Sequence, residues 1–304
     1  ARAEAAVKAA PRRCIRINSD GNATVYAAGR SYAGGHFSTP RLCELRAKAL
    51  LSRERQGRPA CRAALWILDG ASPITDIGTL QANAAPRSLF QVASQWNCLE
   101  SPGRYIAEVA EYVNDPTQGP RASISAFPGT LVRHYAAPGL DGSRYVQSSD
   151  GPQVNLLSDL LDTGDSPIAR VHNGYLRTPE VYDAPAFARL LEDQFESIRV
   201  GLHDGVEVVL GHDWDGAVTG APFRTVSQVF TSTLAAGMYG ELDVENQAFA
   251  TICQELQRAA YLGTLLGAAA LGMERVVLTL IGGGVFANPL PVIWDAILWA
   301  FDRL

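Results

Sequence analysis

Three short phrases hold the residues best suited to chemistry in this chain. The first is Gly282-Gly283-Gly284, inside Leu280-Ile281-Gly282-Gly283-Gly284-Val285-Phe286-Ala287-Asn288-Pro289. Consecutive glycines between an apolar run and a helical one let backbone N–H groups approach an anion, helped by the helix N-terminus that follows; the alternative is a tight strand-to-helix turn. No Gly-Lys-Ser/Thr follows, and the position near the C-terminal end does not suit a dinucleotide fingerprint. The second phrase is Phe90-Gln91-Val92-Ala93-Ser94-Gln95-Trp96-Asn97-Cys98-Leu99-Glu100, an apolar run that turns abruptly polar. Amides at the carboxyl end of an inner strand are where an α/β sheet presents ligand contacts, unless they only cap the strand. The third runs from Asn114 through Asp115, Gln118 and Gly119 to Ser125, a polar loop feeding a helix. His212-Asp213-Trp214-Asp215 offers a His-x-Asp pair but no third ligand at a telling spacing, so no metal site is expected. His134 and His172 read as structural or surface residues. No Gly-x-Ser-x-Gly elbow or Cys/His pairing points to a nucleophilic hydrolase.

The elements that must position these phrases follow from hydrophobic periodicity. Apolar Leu42, Leu45, Ala49 and Leu50 form one stripe, so Arg41 to Leu51 reads as a helix, preceded by a loop holding Gly29, Gly34, Gly35 and Pro40. Residues 64–68 and 88–93 read as strands, 105–113 as a helical turn or two, and 121–135 as one helix opened by Gly119-Pro120. From Pro138 to Pro185 the chain is rich in Gly, Ser, Asp and Pro, as expected of an insertion or lid over a cleft. A helix at 186–199 and strands at 206–210 and 226–230 come next. A helix at 248–271, a strand at 275–281, the glycine loop and a helix at 290–304 close the chain. That grammar predicts a three-layer α/β/α domain over residues 65–304, behind a partly helical N-terminal extension of residues 1–64.

Composition narrows the classes. With 304 residues, 47% apolar and 19% charged, the chain can bury a sizeable core. Its net charge of −5 argues against a nucleic-acid partner held by a global positive field. The apolar stretch Val276 to Ile281 falls well short of the ~20 residues of a spanning helix, so no membrane partner is expected. Five cysteines, an odd and widely spaced set without Cys-x-x-Cys, speak against a disulfide scaffold or zinc site. A reducing, cytoplasmic compartment is therefore expected, with secretion as an effector as the alternative.

In their order and wording the phrases resemble the macrodomain family. Macrodomains open with a Gly-Asp-Ile-Thr element, then carry a Val-Asn-Ala-Ala-Asn strand, a glycine-rich loop into a helix, and a late Ser-Thr-Gly-x-x-Gly-Tyr-Pro phosphate loop. Here Thr75-Asp76-Ile77, Gln91 to Asn97, Gln118 to Ser125 and Gly282 to Pro289 take those places, and Val226 to Ser232 sits where a Val-Ile-His-Thr strand would fall. Ser94-Gln95-Trp96-Asn97-Cys98-Leu99 replaces the family's Asn-x-Asn-x-x-Leu. This wording is closer to a divergent macrodomain-like branch, the MavL-type arginine ADP-ribosyl hydrolases. The likeness covers roughly residues 65–304 and implies a mixed central sheet and binding of ADP-ribose without a cofactor or metal. It implies that Asp76 with Ile77 meets the adenine and that Gln91, Ser94, Gln118, Gly119 and Ser125 line the cleft. Gly282, Gly283, Gly284 and Val285 would cradle the diphosphate, Phe286 would pack on the distal ribose, and Asn97 and Asn288 would meet ribose hydroxyls. Hydrolysis of an N-glycosidic bond at ribose C1″ needs carboxylates, and Glu100 and Asp115 are the candidates. An acidic pair also attracts a guanidinium, so an arginine linkage on a modified protein is favoured, ubiquitin being one acceptor suggested by the likeness. A reader without turnover and a hydrolase of a free ADP-ribose derivative are the alternatives.

Overall fold

The computed structural model describes residues 1–56, 63–70, 75–161, 168–177, 183–211, 224–235 and 247–304. Its strands are β1 (Ile15–Ile17), β2 (Asn22–Ala27), β3 (Arg30–Ser38) and β4 (Ser88–Ala93), then the short hairpins β5 (Ala137–Pro138) with β6 (Arg144–Tyr145) and β7 (Arg170–His172) with β8 (Tyr175–Arg177), and finally β9 (Gly201–Glu207), β10 (Thr225–Thr231) and β11 (Arg275–Val277). The helices are α1 (Arg2–Ala9), α2 (Pro11–Cys14), α3 (Leu42–Gln56), α4 (Ile77–Ala82), α5 (Gln118–Ser125), α6 (Phe127–Tyr135), α7 (Ser158–Leu161), α8 (Ala184–Asp193), α9 (Gln247–Leu271) and α10 (Leu290–Phe301), with a 3-10 turn at Val109–Asn114.

Seven strands form one mixed sheet in the order β1-β2-β3-β9-β10-β4-β11. β4 lies parallel to β10 and β11, whereas β1, β2, β3 and β9 run antiparallel to their neighbours. α3, α8, α9 and α10 pack together on one face; α4, α5 and α6 cover the other. This is the expected three-layer α/β arrangement. α9 approaches the sheet closely because Gly267 faces Val229 and Leu202, where an added Cβ would lie within 3.4 Å of both.

Several elements differ from the periodicity reading. The expected loop before Pro40 holds β2 and β3, joined by a two-residue turn at Ala28 (φ 50) and Gly29 (φ 79) that suits a tight hairpin. Because β3 pairs with β9, the sheet runs across residue 64 and includes the N-terminal segment. The expected helix at 121–135 is two helices, broken at Ala126 because Pro128 cannot continue the ladder of α5. Ala64 to Leu68 form no strand, and Trp66 and Ile67 are 86% and 78% exposed. β9 starts earlier than expected and ends at Glu207, since Val209 and Leu210 turn away and donate to the Ser125 carbonyl. β11 stops at Val277 rather than Ile281. Beyond it, Thr279 N donates to Gln91 Oε1 (3.2 Å) and Ile281 N to Tyr261 Oη (3.2 Å), so side chains take over from the strand ladder.

The last difference opens the sheet. β11 pairs with β4 only over Ser88 to Phe90, and the two strands then diverge. Gln118 fills the gap left on that edge of β4: its Oε1 accepts from Ala93 N (3.0 Å) and its Nε2 donates to the Gln91 carbonyl (3.1 Å). A crevice at the carboxyl ends of diverging parallel strands is where an α/β sheet takes a ligand.

Candidate active site

Glu100 leaves the carboxyl end of β4 by way of a strained turn, with Cys98 at φ 61. Its backbone N–H donates to Tyr112 Oη (3.0 Å), which ties it to the 3-10 turn. Its side chain is pressed against the first turn of α5, where a Cβ added to Gly119 would sit 2.5 Å from Glu100 Oε1 and collide with the Ala93 carbonyl. Glu100 Oε1 is buried and has no hydrogen-bond partner. Burial first, then the negative charge of Asp115, push the Glu100 carboxyl well above the usual carboxylate range, against the pull of the Arg133 guanidinium. Asp115 faces it from the loop into α5, its Oδ1 accepting from Thr117 N (2.9 Å) and Thr117 Oγ1 (2.7 Å). Two carboxyls thus share a site, and the one raised above the usual range is the candidate acid.

Arg133 on α6 went unnoticed in the sequence, although an arginine inside Leu131-Val132-Arg133-His134-Tyr135 was the available signal. It is fully buried. Its Nε donates to the Cys98 carbonyl (3.1 Å), one Nη to Thr130 Oγ1 (3.0 Å) and the other to His203 Nδ1 (3.1 Å), while the guanidinium lies 3.7 Å from the Phe230 ring centre. His203 Nε2 faces the Gly34 carbonyl (2.7 Å) and so carries the proton, leaving Nδ1 to accept. Burial lowers Arg133 to about 10 and pushes His203 well below its ordinary value. His134, read as structural, is buried and lowered to about 4 by desolvation; His172 is exposed.

The glycine loop lies beside this group. Phe286 and Tyr175 rings are 6.2 Å apart, and Tyr175 Oη accepts from Gln95 Nε2 (3.0 Å). Gly282 (φ 77) packs against Thr233 Oγ1, a buried hydroxyl without a partner that sequence reasoning also missed. Gly284 faces open space, and the N–H groups of Gly284 and Val285 make no hydrogen bond among the described residues. Residues of the mid-chain segment lie over the strand end: Trp96 N donates to the Gly174 carbonyl (2.9 Å), Leu156 N to the Trp96 carbonyl (3.0 Å) and Gln147 Nε2 to the Asn97 carbonyl (3.1 Å).

Other expected ligand residues have internal partners. Asn288 uses its whole amide, donating to the Leu234 (2.7 Å) and Phe286 (3.1 Å) carbonyls and accepting from Gln257 Nε2 (3.0 Å) and Cys253 Sγ (3.1 Å), so it locks the glycine loop. Asn97 accepts from Leu99 N (3.0 Å) and donates to Gln153 Oε1 (3.2 Å). Asp76 caps α4 through Thr79 N (2.9 Å) and pairs with Arg121 of α5, while Ile77 is buried in the core. The Gln91 side chain faces α9, donating to the Ala260 carbonyl (3.4 Å), and Ser94 bonds the Thr231 carbonyl (3.2 Å). Ser125 lies at the far end of α5 from Gly119, bonded to the Leu210 carbonyl (2.9 Å). Glu100, Asp115 and the loop amides are left with capacity for a ligand. The His212 to Asp215 phrase lies outside the described residues, among which no cluster of metal-ligating side chains occurs and no helix is long and apolar enough to cross a membrane.

The Gly119 contact gives a prediction. Gly119→Ala should displace the Glu100 carboxyl and lower turnover by roughly 10–100-fold, since small misplacements of a reacting group are costly. Steady-state kinetics of the variant beside its melting curve test this; wild-type kcat would show that the close approach is dispensable.

No family model matches the sequence, and no curated protein matches it. Among solved structures, the chain is similar to poly(ADP-ribose) glycohydrolase from Thermomonospora curvata, with a TM-score of 0.43, 15% identity, and coverage of 96% of this chain and 83% of that one. The same enzyme bound to the inhibitor ADP-HPD gives a TM-score of 0.40 at 12% identity with the same coverage.

Proposed function

We propose that the chain binds ADP-ribose and hydrolyses the glycosidic bond that joins its distal ribose to a protein side chain, with arginine linkage favoured. The observation that carries this reading is the Glu100 carboxyl, with Oε1 buried and unpartnered, pushed well above the usual carboxylate range by burial and by Asp115 at the mouth of the β4/β11 crevice. Protonated Glu100 gives its proton to the leaving nitrogen as the C1″–N bond breaks. Asp115 takes a proton from water as the water oxygen bonds to C1″, so the products are ADP-ribose and the free side chain. The N–H groups of Gly284 and Val285 suit a diphosphate oxygen, and Phe286 beside Tyr175 offers an apolar face to the ribose. A guanidinium on the leaving side is drawn to the Asp115 charge, which supports arginine over serine or glutamate. No residue of the site selects ubiquitin over another acceptor.

Calorimetry with ADP-ribose, followed by incubation with arginine-, glutamate- and serine-linked ADP-ribosylated proteins, tests the reading. Binding followed by release from arginine is expected. Binding without release from any substrate would make the protein a reader, and no binding at millimolar ligand would refute the family resemblance with it.

A further inference from the structure

A second cavity lies on the opposite side of α6 from Arg133. Arg133 and Tyr135 are two positions apart, which puts their side chains on roughly opposite helix faces. Arg133 points to the sheet, whereas Tyr135 lines an open cavity of about 1060 Å³ between α2, β1 and the β5–β6 hairpin. Arg12, Arg13 and Arg16 reach it from the N-terminal segment, and Arg144 comes from β6 with Tyr145 beside it. No acidic residue lines it. Among the described residues, none of the four arginines forms an ion pair with a carboxylate. Glu4, bonded to Tyr135 behind that wall, already accepts from Tyr135 Oη (2.8 Å), Ala110 N (2.7 Å) and Val109 N.

Arg12, Arg13 and Arg16 are exposed, Arg16 with its guanidinium 5.3 Å from the Tyr26 ring centre, and with the half-buried Arg144 they converge on one hollow that no carboxylate neutralises. They are not a reflection of composition, because the whole chain is acidic at −5. Arg144 is the most desolvated of them: its hydrogen bond is a long one to the Ala136 carbonyl (3.4 Å), and burial lowers its pKa. Guanidiniums from two sides match oxygens spread over more than one phosphate. A volume of this size accommodates a nucleotide, and the half-buried Tyr145 ring supplies a flat apolar wall for a base. We propose that this cavity is a second ligand site that takes a nucleoside diphosphate, its phosphates on Arg12, Arg13, Arg16 and Arg144 and its base against Tyr145. The site is separate from the Glu100 centre, and its occupancy does not depend on that centre being catalytic.

The test uses the full chain, with ADP and inorganic pyrophosphate as probes in calorimetric titrations. With ADP-ribose saturating the Glu100 cleft, the variant Arg13→Gln/Arg144→Gln is expected to weaken the remaining ADP and pyrophosphate binding by at least tenfold and to leave Glu100-dependent turnover of an ADP-ribosylated substrate unchanged; Glu100→Gln is expected to leave this binding unchanged. If the double variant does not fold, Arg12→Gln/Arg13→Gln, at two exposed positions, reads the same loss. Equal ADP affinity in wild type and arginine variants, measured with the Glu100 cleft filled by ADP-ribose, would overturn the proposal. So would arginine-dependent binding of a short single-stranded oligonucleotide or of phosphatidylserine vesicles without binding of ADP. Failure of the hydrolase reading would show as absent turnover with arginine-dependent ADP binding intact, which keeps the two outcomes distinct.

Discussion

Glu100→Gln is expected to lower kcat for ADP-ribose release by about 10²–10⁴-fold while leaving the affinity for ADP-ribose nearly unchanged, because an amide fills the same space but has no proton to give. The same change should raise the melting temperature at neutral pH. In the wild type the folded state holds a proton on Glu100 that the unfolded chain releases near the ordinary carboxylate pKa of 4.5. Stability is therefore full below that pH and falls as pH rises towards the raised folded pKa. Glutamine removes this penalty, so the difference between variant and wild type should widen with pH, at roughly 2–4 °C for each ~1 kcal/mol. Activity follows the protonated carboxyl and declines on the alkaline side. Asp115→Asn should cut kcat comparably and, by removing a charge that raises Glu100, move the remaining alkaline limb to lower pH. Unchanged kcat in both variants would end the catalytic assignment while leaving the fold as described.

Arg133→Met should be the most destabilising single change at the site, by about 3–5 kcal/mol in urea unfolding. Methionine keeps the length of the side chain but provides no donor to the Cys98 carbonyl, Thr130 Oγ1 or His203 Nδ1, all in a buried layer. The stacking on Phe230 loses its charge as well. Because the guanidinium lowers the Glu100 pKa, its loss should push that carboxyl higher, so residual activity would persist to more alkaline pH than in the wild type. Arg133→Lys should not rescue, since one ammonium cannot reproduce a planar fork that reaches partners on both sides. A loss below ~1 kcal/mol would show that the polar layer tolerates an apolar substitute.

Legibility differed from element to element for physical reasons. α9, the glycine loop and α10 could be read directly, because a long apolar helix, three glycines and a proline-started helix are local signals. β4 was equally clear as an apolar run. β1 to β3 were missed because their partners lie far along the chain: β3 is held by β9, about one hundred and seventy residues later. Ala64 to Leu68 misled for the converse reason, having strand composition with no strand beside it among the described residues. At the candidate site, Glu100 and Asp115 stand out in the sequence because they lie next to phrases with a recognisable order. Arg133 does not, since its partners come from the Cys98 turn, from α6 itself and from two different strands, and an arginine within apolar neighbours gives no hint of which carbonyls will surround it. Thr233 was hidden likewise, its role depending on a glycine nearly fifty positions away.

The Gln118 side chain has one more consequence, for how the sheet holds together where it divides. Where β11 departs, Gln91 and Ala93 would offer a bare carbonyl and a bare amide on an apolar strand. One amide group occupies both positions and so satisfies the backbone acceptor and donor that the departing strand leaves inside the sheet. Shortening that residue would leave both groups without a partner before it altered any chemistry, and the first symptom would be a less stable sheet rather than inactivity.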